Sequence, residues 1–164
     1  MSFDPSHFAV LARDLRDKKE SFESDRCEAI VRTIIGRSYY GSFLKLREHV
    51  VSSLKDDPTI GDPMVEMSVD TEMHGLVIQL MQILDYSVGQ RLENLREERN
   101  IADYRLTLDV PMDITRANEA IEKADFISSR DFPDEDKIEK KMGRVSELVL
   151  DHYGKYRKRR YHET

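Results

Sequence analysis

One cysteine in 164 residues, Cys27, excludes an internal disulfide framework and any paired-cysteine metal or redox motif. Cys27 falls on an apolar helical face, the setting of an inert packing thiol. No run of about 18 apolar residues occurs, so no membrane span is expected. The segment from Met1 to Arg16 is interrupted by Asp4, His7, Arg13 and Asp14 and lacks the pattern of a secretory signal. A cytoplasmic protein is the simplest expectation. Asn-Gly and Asp-Gly hairpin turns are missing, as is any sustained period-two alternation, which leaves almost no β signal. There is no phosphate-binding loop: Gly36 to Gly41 has two glycines five apart but no following Gly-Lys-Ser/Thr, and reads as a packing segment. The histidines (His7, His49, His74, His152 and His162) never pair at helical spacing. A metal site would need long-range convergence, and neither a metal nor a cofactor is expected.

What is present is charge and helical periodicity. Hydrophobic residues make up 39 % and charged residues 35 % of the chain, a globular composition on the polar side. The net charge of −6 is unevenly placed. Residues 1–154 hold 21 basic and 31 acidic side chains, whereas residues 155–160, KYRKRR, hold five basic ones. An acidic body argues against a whole-body duplex-DNA binder. The basic end (Lys155, Arg157, Lys158, Arg159 and Arg160, with tyrosines interleaved) suits a phosphate backbone, or simply the basic terminus of a last helix.

The apolar spacing predicts five helices. The first opens at Asp4-Pro5, buries Phe8, Leu11, Ala12 and Leu15, and ends near Glu20. The second starts near Ser24 or Asp25 and runs to Leu54, with Gly36, Ser38, Gly41 and Ser42 where another helix approaches. Asp56 to Pro63 reads as a loop. A long third helix starts between Ser68 and Thr71, with Thr71 as cap, and continues to about Tyr104. Thr107 to Pro111 is a break. The fourth covers 113–129, capped by Asp113 or Thr115, and the fifth opens at Pro133. The expected fold is an all-α, up-and-down bundle of four to five helices. It fills residues 1–154 as one domain, with 155–164 as a basic tail.

Two polar clusters carry the candidate chemistry. In LENLREERNIADYRL, residues 92–106, Arg96, Arg99 and Asp103 share one helical face, and Asn100 and Tyr104 a neighbouring one. An Arg99–Asp103 pair at i, i+4 is an ordinary helix contact. It also suits a groove where arginine holds a phosphodiester. On the second helix, Arg37, Tyr40 and Arg47 sit near Tyr39 and Phe43, and a side chain from this helix can meet Arg99.

Arg37, Ser38, Tyr39, Tyr40, Gly41, Phe43 and Leu46 in GRSYYGSFLKLR resemble the HEPN superfamily of small helical domains. So do Leu95, Arg99, Asn100, Ala102, Asp103 and Tyr104 in LREERNIADY, together with His74-Gly75 and the alanines Ala117, Ala120 and Ala124. These span about residues 24–128 in the order of the branch with an Arg…Ala-Asp-Tyr motif. The resemblance implies a homodimer with both motifs near the subunit interface. It implies RNA or a small nucleotidyltransferase as partner, in a toxin–antitoxin, defence or RNA-processing setting. Catalytic members are metal-independent endoribonucleases with an arginine, a polar residue and a histidine a few residues on. Arg99 and Asn100 match the opening. Asp103, Tyr104 and Arg105 stand where the histidine would fall. Histidine titrates near neutrality and serves as acid and base; tyrosine and aspartate do so poorly. The expectation is therefore a weakly catalytic or non-catalytic module binding RNA or a partner protein. The alternatives are an endoribonuclease using Arg99 with Asp103 or Tyr104, and a purely structural scaffold.

Overall fold

The computed structural model describes residues 4–19, 26–104, 112–131 and 135–162. Glu20, Ser24, Asp25, Arg105, the break from Thr107 to Pro111, and Pro133 lie outside them. The described residues form seven helices: α1 Ser6–Asp17, α2 Cys27–Leu54, α3 Gly61–Met67, α4 Glu72–Leu84, α5 Tyr86–Tyr104, α6 Ile114–Ser129 and α7 Glu135–His162. Among them no helix is long and apolar enough to cross a membrane.

The protein is all-α, but the expected up-and-down bundle of four to five helices is wrong. Two local features account for the difference. The first is Asp85, whose extended backbone (φ −143°, ψ 96°) ends α4. Its Oδ1 then accepts from the backbone N–H groups of Ser87 at 3.0 Å and Val88 at 3.2 Å, so the residue that stops α4 also starts α5. The apolar spacing continues across Asp85, which is why the sequence reads as one long helix. The second is Pro63. It falls in the first turn of α3, where a missing N–H costs nothing. Asp57 Oδ1 gathers the Thr59 and Ile60 N–H groups just upstream, at 2.8 and 3.1 Å. The stretch that reads as a loop thus folds, and Ile60, Met64 and Met67 are fully buried.

The chain divides into two compact units, residues 1–45 with 91–130 and residues 46–90 with 131–164. In the first, α1 packs on α6. Gly41 of α2 seats α1: a Cβ there would lie 3.2 Å from Phe8 Cβ and 3.4 Å from the Ala9 nitrogen. Ala12 is the one fully buried residue of α1, and Leu11 is exposed. The alanines Ala117, Ala120 and Ala124 face inward from α6, beside Ile34, Ile35 and Leu95 in the core of this unit. In the second unit α7 packs on α3 and α4. Its core holds Met64, Met67, Met73 and Met81, so these methionines are internal packing rather than a free face for another copy. The start of α4 is held by Asp70, whose Oδ1 accepts from Glu72 N–H at 2.9 Å; Thr71 makes no side-chain cap.

Candidate functional site

In the first unit Arg99 gathers the polar residues of α2 and α5. Its Nη2 donates to Tyr40 Oη at 2.7 Å and to Tyr104 Oη at 3.3 Å. Its Nη1 donates to Asn100 Oδ1 at 3.2 Å. Nε lies 2.6 Å from Asp103 Oδ2, an i, i+4 ion pair, although the buried N–H is not aligned for a hydrogen bond. The guanidinium also lies 5.2 and 5.1 Å from the ring centroids of Tyr40 and Tyr104. Burial works against its charge, but Tyr40, Asp103 and Tyr104 outweigh that and hold its pKa above the ordinary arginine value. Behind this network Tyr39 is 1 % exposed and stacks on Phe43. Burial pushes the Tyr39 hydroxyl pKa well above its usual value, despite Arg96 and Arg99 nearby.

Beside Arg99 opens a cleft of about 270 Å³ lined by Arg32, Thr33, Gly36, Arg37, Tyr40 and Asp103. Five of these six come from α2. Arg32, Gly36 and Tyr40 recur every four residues, one stripe of the helix. Arg32 is committed structurally. It donates to the Ala102 and Ile101 carbonyls in the last turn of α5, and to Glu28 at 2.9 Å. Arg37 is different: its guanidinium lies 5.0 Å from the Phe8 ring centroid, and no carboxylate of the described residues pairs with it. Gly36 leaves the floor bare, since a Cβ there would meet nothing within 4 Å.

The structure therefore brings together Arg99, Asn100, Asp103, Tyr104, Tyr40 and Arg37. Arg47, half-buried, stands on the part of α2 that belongs to the second unit. The basic residues 155–160 also belong to that unit, as turns of α7. Lys155 pairs with Asp151 at 2.6 Å, and Arg157 lies over the rings of Tyr153 and Tyr161. Arg159 pairs with Glu72, and Arg160 donates to Tyr156 Oη. Lys158 is exposed.

Some polar residues give no sequence warning of their place. Arg32 and Thr33 line the first cleft, and only the four-residue stripe through Gly36 and Tyr40 hints at it. In the second unit, buried His152 meets Glu72 through Nδ1 at 3.2 Å, across 80 residues of sequence with no local signature. Among the described residues no group of three or more potential ligands could hold a metal ion.

The chain is similar to the protein MJ0628 of Methanocaldococcus jannaschii, with 32 % identity over 111 residues, 63 % of this chain and 64 % of that one. It is also similar to MJ0992 of the same organism, with 30 % identity over 120 residues, covering 66 % of this chain and 65 % of the relative. The matched region thus spans slightly less than two thirds of these curated relatives, both of which are named only as uncharacterised proteins. No family model matches the chain, and no solved structure matches it.

Proposed function

We propose that this protein is a HEPN-like helical module that binds single-stranded RNA through the cleft beside Arg99, without strong catalysis of its own. The observation that carries the reading is Arg37. Its guanidinium makes no ion pair with any carboxylate of the described residues, and it shares a cleft with Tyr40 and Asp103 of the Arg99 network. A guanidinium in that state suits a phosphodiester. Tyr104, 70 % exposed and adjoining the same network, offers a ring for a base to stack on. The side chains lining the cleft include no histidine, the residue type that serves as both acid and base in the catalytic members of the superfamily. The reading includes the homodimer and the small nucleotidyltransferase partner that the resemblance implies, in a defence or RNA-processing setting.

The test is a titration of labelled single-stranded RNA in EDTA with the native protein, Arg37→Gln and Arg99→Ala. Binding of intact RNA is expected. Arg37→Gln should weaken it and lower the salt slope by about one, with an unchanged melting curve. No binding, or binding indifferent to Arg37→Gln, overturns the reading. The second reading, a metal-independent endoribonuclease, draws on Asp103 lying both in the cleft and 2.6 Å from Arg99. Cleavage that Arg99→Ala abolishes would replace the first reading with this one.

A further inference from the structure

The second unit has a cleft of its own, about 330 Å³, lined by Asp70, Thr71, Tyr156, Arg159 and Arg160. Its two arginines differ in what neutralises them. Arg159 is paired with Glu72, whose other oxygen faces His152. Arg160 donates to Tyr156 Oη and lies 5.6 Å from that ring's centroid, and no carboxylate of the described residues pairs with it. Tyr156 is 2 % exposed, so the group that holds Arg160 is itself fixed in the core. Arg160 feels the charge of Glu66 but makes no direct ion pair, and a cation anchored by a buried partner is preorganised for an anion, since little side-chain freedom is left to lose on binding. The same cleft carries a carboxylate. Asp70 Oδ1 accepts from Glu72 N–H at 2.9 Å and from the Thr71 hydroxyl at 3.3 Å. Oδ2 has no hydrogen bond among the described residues, and a carboxylate oxygen so placed accepts from a hydroxyl. The volume lies at the lower end of that of small-molecule sites and exceeds the needs of a bare oxyanion.

We propose that this cleft binds a phosphorylated sugar, with the phosphate on Arg159 and Arg160 and a hydroxyl on Asp70. Free sugar phosphates and the ribose phosphate of a mononucleotide share this chemistry. The site uses none of the residues of the cleft beside Arg99 and does not depend on RNA binding there.

The test is calorimetric titration of the full chain with ribose 5-phosphate, adenosine 5′-monophosphate and orthophosphate. Saturable binding of one of the two sugar phosphates, tighter than orthophosphate, is expected. A preference for the mononucleotide or for the free sugar phosphate identifies the source. Arg160→Gln should weaken binding about tenfold or more while the ligand-free protein stays folded, its melting point lowered by no more than the loss of one hydrogen bond to Tyr156 allows. Asp70→Asn retains an oxygen that can cap α4, so the fold is kept. It should weaken the sugar phosphates and spare orthophosphate. No saturable binding of either sugar phosphate in the millimolar range overturns the proposal. So does orthophosphate binding as tightly as both, affinity unmoved by Arg160→Gln, or an equal loss for all three probes in Asp70→Asn.

Discussion

Arg99 of α5 donates to the hydroxyl of Tyr40 on α2 at 2.7 Å, across 59 residues of sequence. The same guanidinium reaches Tyr104, Asn100 and Asp103, so one side chain organises the polar edge of the first unit. Arg99→Ala should lower stability by about 1.5–3 kcal/mol, the range for hydrogen bonds to a charged group. The loss should stay below that of a fully buried pair, because Asp103 is 36 % exposed and water can solvate it. Urea denaturation gives the number. Arg99→Lys should recover only part, since an ammonium cannot span the same partners. An unmoved midpoint in Arg99→Ala would show that the network adds nothing to folding.

Gly36 sits inside α2 with open space where its Cβ would be. Gly36→Ala should therefore stabilise the protein by up to about 1 kcal/mol through helix propensity alone. That corresponds to a melting point higher by roughly 2–4 °C. Gly36→Leu should keep the fold and fill the cleft beside Arg99, lowering RNA affinity while thermal unfolding stays near native. If RNA affinity survives Gly36→Leu, the ligand lies elsewhere.

Gly61 and Gly89 should behave in the opposite way. A Cβ on Gly61 would lie 2.2 Å from the Lys55 carbonyl oxygen, and one on Gly89 would lie 2.4 Å from the Gln82 nitrogen. Both obstacles are backbone and cannot swing aside. Gly61→Ala and Gly89→Ala should each cost about 1–3 kcal/mol, as overpacking does. Stability equal to the native protein in either variant would mean that the backbone there shifts freely.

These glycines show where sequence reading stops. Gly36, Gly61 and Gly89 are alike in one dimension; what separates them is a neighbour's backbone. The helices were legible because burial imposes a 3.6-residue period, and Leu76, Val77, Leu80 and Leu84 keep it faithfully. The break at Asp85 was not, because apolar spacing runs across it and only the cap geometry reveals the change of helix. Arg99, Asp103 and Tyr104 stood out by local spacing, and the polar and aromatic face of α2 pointed to a contact with Arg99 without singling out Tyr40 as its partner. Arg32, bonded to the α5 carbonyls, gave no such sign. The pairing of Glu72 with His152 spans 80 residues, and no local pattern encodes a contact of that kind.

The cap of α6 is one junction where spacing and geometry agree. Asp113 has extended backbone, and its side chain accepts from Thr115 N–H at 3.0 Å and Arg116 N–H at 3.2 Å. Asp113→Ala should cost about 0.5–2 kcal/mol, whereas Asp113→Asn should keep most of the stability. Paired chemical denaturation curves separate the two. Equal losses in both variants would assign the effect to charge rather than to the cap.

The fold raises the hydroxyl pKa of two tyrosines, Tyr39 and Tyr153. Burial raises the Tyr39 pKa, and the hydrogen bond from Tyr153 Oη to Glu66, 2.5 Å long, raises that of Tyr153. An acid whose pKa is higher in the folded state binds its proton more tightly there. The stability it contributes is complete below the unfolded value of about 10 and is lost as pH rises toward the folded value. Urea midpoints should therefore hold steady from neutrality to about pH 10 and fall beyond it, with the phenolate absorbance of buried Tyr39 developing only as the protein unfolds. Tyr39→Phe should flatten part of that fall, because its ring can still stack on Phe43 while the ionisable group is gone. A midpoint that does not move above pH 10, or a native-like fold with every tyrosine ionised, would contradict the assignment.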